Sequence, residues 1–327
     1  MANIGIVGGG FSALVASAST NFQAKIITPL ISNHLNKIFA VDKILSKKSG
    51  SLASFKILNK NVRLHERLIL GGNSKIWGGF VNMDGLDSRG IALLESMGVQ
   101  FKPLSFDGTG SLSNKNIYQL QYNDLILDSS NIIRPNTNEM VKSIGWLGSK
   151  PYLVLYSGIV LYFDKLILCV GVVQLIQILI ASNLIRKGDY ISLNEYPCRF
   201  NLSFLRALPE TNDCVIRYGF FRAINHFVGV QKKTTPEFLP LYLDQIFLSS
   251  KNHLAMQYNG AEEFSAHSLG FGGSIHYCNL KINSMPINDF ISNLNPNISV
   301  LGMASVNQMI PGPISNDIIN GALVYDS

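Results

Sequence analysis

Residues Ala2 to Val7 form a short apolar run that ends in Gly8-Gly9-Gly10. The Ala- and Leu-rich stretch Phe11 to Ser19 follows, then a second short apolar run, Ala24 to Thr28, closed by Pro29. This order reads as strand, glycine turn, helix and strand. Within it the spacing is Gly8-x-Gly10-x-x-Ala13. The first glycine permits a tight turn, the second lets backbone approach a pyrophosphate, and the small third residue lets helix and strand pack closely. The helix N-terminus then presents free N–H groups and partial positive charge to phosphates. The unit is therefore expected to bind a dinucleotide through Gly8, Gly10, Phe11, Ser12 and Ala13. Such units carry an acidic residue after the second strand to hold the adenosine ribose. Here that region reads Ile26-Ile27-Thr28-Pro29, so only Thr28 is at hand for a weaker bond.

A chain of 327 residues supports one large domain or two intertwined ones. With 47% hydrophobic and 15% charged residues it is too apolar for disorder. The net charge of +6 raises the question of nucleic acid, but the basic residues are scattered. Lys47-Lys48 is the densest cluster, no aromatic-interleaved basic stripe accompanies it, and nucleic acid is not expected as a partner. Cys169, Cys198, Cys214 and Cys278 form no C-x-x-C pair and no zinc or disulfide spacing, so no metal is expected. Free thiols point to a reducing, cytoplasmic setting. Ile4 to Ala18 lacks the basic flank of a signal peptide. Leu166 to Ala181 is short of the roughly 20 residues of a membrane span and is broken by Gln174 and Gln177.

Further along, Asn33 to Asn61 is polar and Lys/Ser-rich and reads as helix and loop. Ser88 to Gly98 reads as a helix, and Ile117 to Leu127 and Tyr152 to Phe163 read as hairpin strands. Lys165 to Val170 reads as a buried strand ending at Gly171, with Val172 to Asn183 as a helix behind it. Residues 191–265 hold aromatic strand-like runs, among them Cys214 to Phe221, Phe227 to Val230 and Leu239 to Leu248, the last open between strand and helix. Ile298 to Leu301 reads as another strand, with a final helix from about Ser315.

The stretch Gly71-Gly72-Asn73-Ser74-Lys75-Ile76-Trp77-Gly78-Gly79 is too rich in glycine for regular structure. Successive backbone N–H groups cup a ligand only where no side chains intervene. Together with the N-terminal unit, this stretch resembles the glucose–methanol–choline family of flavin oxidoreductases, whose Gly-Gly-x-Ser/Thr segment is followed by Asn-Gly or Trp-Gly-Gly. The resemblance implies that Gly71, Gly72, Asn73, Ser74, Trp77 and Gly78 lie against FAD. Relatives that attach flavin covalently do so through a histidine just before that Trp or Asn. Ile76 stands there, so non-covalent FAD is implied.

Phe163 to Gly171 followed by Val172-Val173-Gln174-Leu175 resembles the family's strand ending in Ala-Gly and its next helix, which adds Gly171. Ser274-Ile275-His276-Tyr277-Cys278 resembles the family's His-x-x-Gly-Thr segment, with Asn279-Leu280 in place of Gly-Thr. Val300-Leu301-Gly302-Met303-Ala304-Ser305 resembles the returning strand that touches the cofactor, which adds Gly302 and Met303, without the acidic residue often found there. Asn316 matches the second His or Asn of the family. The resemblance implies that His276 removes the hydroxyl proton of an alcohol while a hydride passes to FAD, with Asn316 orienting the oxygen. His267 and Asn320 are the nearest rivals for these roles.

The expected fold is α/β. A Rossmann-like FAD-binding domain (parallel sheet, helices and a small antiparallel layer) comprises 1–110, 150–190 and 266–327. Residues 111–149 are a hairpin and loop insertion, and 191–265 a reduced antiparallel substrate domain. The expected activity is FAD-dependent oxidation of a CH–OH group in a small alcohol or sugar. An alternative is a flavin-binding or degenerate family member with a non-redox catalytic or binding role. A nicotinamide dehydrogenase explains only the first motif.

Overall fold

A computed structural model describes residues 2–29, 52–60, 62–67, 70–71, 80–103, 117–195, 203–204, 241–242, 253–261, 263–269, 277–306 and 314–325. The N-terminal unit is β1 (Ile4–Val7), α1 (Phe11–Ser19) and β2 (Lys25–Ile27). Next come β3 (Leu52–Ile57), β4 (Val62–Arg67), β5 (Phe80–Asn82), α2 (Ser88–Ser96) and β6 (Gln100–Pro103). The middle holds β7 (Ile117–Tyr122), β8 (Leu125–Ile126), β9 (Val141–Leu147), β10 (Lys150–Leu155) and β11 (Val160–Tyr162). It continues into β12 (Lys165–Leu168), α3 (Val172–Ala181), β13 (Tyr190–Glu195), β14 (Ser203–Phe204) and β15 (Leu241–Tyr242). The last part contains β16 (His253–Gly260), β17 (Glu263–Leu269), β18 (Tyr277–Ile282), β19 (Met285–Pro286), α4 (Ile287–Leu294), β20 (Ile298–Val300) and α5 (Ile314–Ala322).

The centre is a four-stranded sheet ordered β2-β1-β12-β20, with every pair parallel. Its strands are buried on both faces, as parallel strands must be. Side-chain alternation sorts them cleanly between two cores. Ile6, Ile26, Ile167 and Leu301 join the core under α1 and α5. Val7, Ile27, Leu166, Leu168, Ile298 and Val300 join the core of the opposite face. That face is covered by the antiparallel layer β11-β10-β9 and by α3. The mixture of helices with parallel and antiparallel sheets agrees with the expected α/β class.

One sequence expectation needs correction. Residues 52–57 form a strand rather than helix or loop. Ile57 is fully buried, and β3 pairs antiparallel with β4 and parallel with β17. The Lys- and Ser-rich composition hid a strand that is fixed by neighbours on both sides. The large second sheet is ordered β19-β18-β13-β16-β17-β3-β4. Cys214 to Phe221, Phe227 to Val230 and most of Leu239 to Leu248 lie outside the described residues. Among the described residues, no helix is long and apolar enough to cross a membrane.

Candidate functional site

The glycine turn sits at the C-terminal end of β1, between the neighbouring strand ends. Gly8 has φ +121°, and a Cβ on it would stand 2.4 Å from the Cys169 carbonyl oxygen. Only glycine takes this backbone shape and tolerates this approach. Its N–H donates to Ile27 O at 2.9 Å, and Cys169 N–H donates to Val7 O at 2.8 Å, so the turn is tied to both flanking strands. Gly9 is hemmed in as well, since a Cβ there would meet Leu70 Cδ1 at 2.6 Å and Thr28 Oγ1 at 2.8 Å. Gly10 differs. Among the described residues, a Cβ on it would find nothing closer than Gly71 O, at 3.7 Å. Gly10 is also the N-cap of α1 and brings no side chain to the helix end. Behind it Ala13 is fully buried, which lets helix and sheet close together. Among the described residues the turn thus leaves an open approach, free of side chains, to a helix N-terminus, the form a pyrophosphate requires.

Two remote segments reach this turn. Gly71 N–H donates to Gly9 O at 2.9 Å, so the glycine-rich stretch begins directly against the first motif. Gly302, at φ +131°, lies so near Ser12 that a Cβ would stand 2.7 Å from its Oγ. The Met303–Ser305 turn that follows is held by Ser305, whose Oγ donates to Gly302 O and accepts from Gly302 N–H. Gly171 is the N-cap of α3, just after the Cys169–Val170 segment that abuts Gly8. Phe11 is buried and Ser12 half-buried at the start of α1. Thr28 is buried, with its N–H donating to Thr137 O at 3.1 Å. Gly72, Asn73, Ser74, Trp77, Gly78 and His276 lie outside the described residues.

Asn316 is buried at the start of α5, and both ends of its amide meet one residue. Its Nδ2 donates to Asn82 O at 2.6 Å, and its Oδ1 accepts from Asn82 N–H at 3.0 Å. One turn on, Asn320 Oδ1 accepts from Asp87 N–H at 3.1 Å, and its Nδ2 donates to Gly85 O at 3.0 Å. The two amides together clamp the 82–87 turn to α5. Beyond its two bonds Asn316 keeps one N–H and one oxygen lone pair. His267 is exposed on β17, its ring 5.3 Å from that of Tyr190.

Two protonated groups lie behind the turn. Burial pushes the Tyr325 phenol up to about 12, against the opposing hydrogen bond with Ser299. Burial also raises the Cys169 thiol. Both stay neutral near neutral pH, so neither is a base or a nucleophile there. Among the described residues, no group of three His, Cys, Asp or Glu is placed to hold a metal.

Sequence reasoning missed Gly9, whose carbonyl gathers both Gly71 N–H and the Ser129 hydroxyl, each at 2.9 Å. The run of three glycines was its one sequence signal. It also missed Asn136 and Thr137, which close the outer edge of β2: Asn136 Oδ1 accepts from Ile26 N–H at 2.8 Å, and Thr137 bridges Ile27 in parallel. Asn279 stood out in the sequence only as a departure from Gly-Thr. In the structure its Oδ1 is buried without a hydrogen-bond partner.

No protein-family profile matches the chain, and no curated protein matches it. Among solved structures it is similar to pyridoxine 4-oxidase from Mesorbium loti, at 10% identity and a TM-score of 0.56, over 100% of this chain and 98% of that one. The described residues therefore share the general mixed α/β fold of this oxidase. A looser likeness to the tetracycline destructase Tet(55), at 11% identity and a TM-score of 0.35 over 99% of this chain and 78% of that one, carries no argument.

Proposed function

We propose that the protein is a flavin-dependent oxidoreductase that binds FAD non-covalently and oxidises a hydroxyl group of a small alcohol or sugar-like substrate. The observation that carries this reading is the convergence on the N-terminus of α1. Gly9 meets Gly71, and Ser12 meets Gly302, although the three segments are far apart in sequence. The open side of Gly10 fits the diphosphate, and the glycine-rich stretch from Gly71 fits the flavin end of the same molecule.

Bound FAD supplies the two-electron acceptor. The chain supplies the rest. Gly8, Gly10, Phe11, Ser12 and Ala13 hold the diphosphate, with Thr28 on the ribose side. Gly71, Gly72, Asn73, Ser74, Trp77, Gly78, Gly171, Gly302 and Met303 line the remainder. His276 takes the hydroxyl proton at an imidazole nitrogen. Asn316 orients the substrate oxygen with the N–H left over after its bonds to Asn82. The likeness to pyridoxine 4-oxidase makes pyridoxine the first compound to try.

The test is the absorbance of purified protein followed by anaerobic addition of candidate alcohols. The expected result is a flavin spectrum bleached by substrate, with the yellow colour in the supernatant after acid precipitation. Colourless protein that added FAD does not stabilise would overturn the reading. A second reading, flavin binding without redox turnover, is favoured by the engagement of both Asn316 amide atoms with Asn82 and by the absence of a carboxylate at Thr28. It predicts a flavin spectrum that no alcohol bleaches.

A further inference from the structure

Strand β18 breaks its pairing at one place. Asn194 pairs with Cys278 and Ser192 with Lys281, so Leu193 alone stands opposite both Asn279 and Leu280. Asn279 has φ +51°, a conformation that asparagine tolerates better than most side chains. An extra residue in the left-handed region is the form of a β-bulge, which re-aims a side chain out of the strand's alternation. On either side of it, Cys278, Leu280 and Ile282 are fully buried.

The re-aimed side chain is 6% exposed, and its Oδ1 has no hydrogen-bond partner. A buried acceptor left unpaired costs about 1–3 kcal/mol, so such an atom calls for a donor. The location narrows the donor. Strand β18 packs against the Met303–Ser305 turn, and Gly302 at the head of that turn touches Ser12 beside the proposed diphosphate position. Asn279 also follows the candidate base His276 by three positions in the chain. An oxidised isoalloxazine ring carries a single ring N–H, on its pyrimidine imide, and otherwise presents acceptors.

We propose that Asn279 Oδ1 accepts a hydrogen bond from the imide N–H of the bound flavin ring, so that the bulge of β18 is a flavin-recognition device. The inference rests on the reading of the protein as a flavin binder. It adds a residue for the ring itself, at the position where the Gly-Thr segment carries a glycine and so no side-chain acceptor.

The experiment uses Asn279→Gly, which keeps the positive φ and deletes the acceptor, and Asn279→Asp, which keeps both. Dissociation constants of the cofactor-free protein for FAD and for riboflavin are measured by fluorescence quenching, with the melting temperature of the same preparations. The glycine variant should lose about 5–10-fold in affinity, the worth of one hydrogen bond. The loss should be equal for FAD and riboflavin, because the contact is with the ring they share. Its cofactor-free melting temperature should hold or rise, since an unpaired buried atom has been removed, and the aspartate variant should stay nearer wild type than the glycine variant. Unchanged flavin affinities with a lower melting temperature would assign Asn279 to the fold alone. Unchanged flavin affinities with a raised KM for substrate would assign it to the substrate hydroxyl. Either outcome overturns the inference while flavin binding stands, whereas wild-type protein that binds neither FAD nor riboflavin overturns both.

Discussion

Two glycine turns leave the same parallel sheet, one after β1 and one after β20, and they are built to different tolerances. Both use a positive φ, +121° at Gly8 and +131° at Gly302. At Gly8 the space a Cβ would need is held by the Cys169 carbonyl, which is backbone of the adjacent strand end. At Gly302 it is held by the hydroxyl of Ser12, which can rotate away. The first turn is locked by the sheet itself. The second is closed by a side chain belonging to the helix that the first turn starts. A turn locked by backbone is thus joined to one closed by a movable side chain.

The comparison can be broken most severely at Gly8. Gly8→Ala forces a Cβ against backbone in a φ region hostile to alanine, and is expected to cost about 4 kcal/mol, the severe end for a single substitution. Chemical denaturation would read this as loss of most of the folding transition. Gly302→Ala should cost about 2 kcal/mol, because the φ strain remains but the obstacle can move. Adding Ser12→Ala should return part of that loss, and the coupling in this double-mutant cycle measures the Gly302–Ser12 contact directly. The same Ser12→Ala change should not rescue Gly8→Ala. The smallest effect on the fold is expected at Gly10, where among the described residues Gly10→Ala meets nothing nearer than 3.7 Å, so stability should shift by under about 1 kcal/mol. That variant should nevertheless bind FAD more weakly, since the space it fills is the one proposed for the diphosphate.

The contrast between the turns also marks how far the sequence was legible. The unit β1–α1–β2 could be read because its apolar runs and glycine spacing are local. So could α3 behind Gly171 and α5 near Ser315, whose periodic patterns and flanking glycine or proline are local too. The strand Leu52–Ile57 could not, because its Lys and Ser residues suit a half-exposed strand or a loop equally. What decides between them is pairing with β4 and with the distant β17. Asn316 was recognisable as a polar residue on a helix. Its pairing with Asn82 was not, because 234 residues separate them. Asn279 was visible only as an odd residue in a motif, since neither a bulge nor an unpaired oxygen has a local signature. Local chemistry is written in short spacings, whereas contacts that close a site across the chain emerge only from packing.

The central claim is that the open side of Gly10 receives the diphosphate of FAD. The most direct measurement is the FAD dissociation constant of wild-type protein beside Gly10→Val, with folding of both checked by circular dichroism. The account predicts that wild type binds FAD, and that the valine variant folds but loses binding by about 100-fold or more, as a side chain displaces the diphosphate from the helix N-terminus. Equal FAD affinity in the two folded proteins would contradict it.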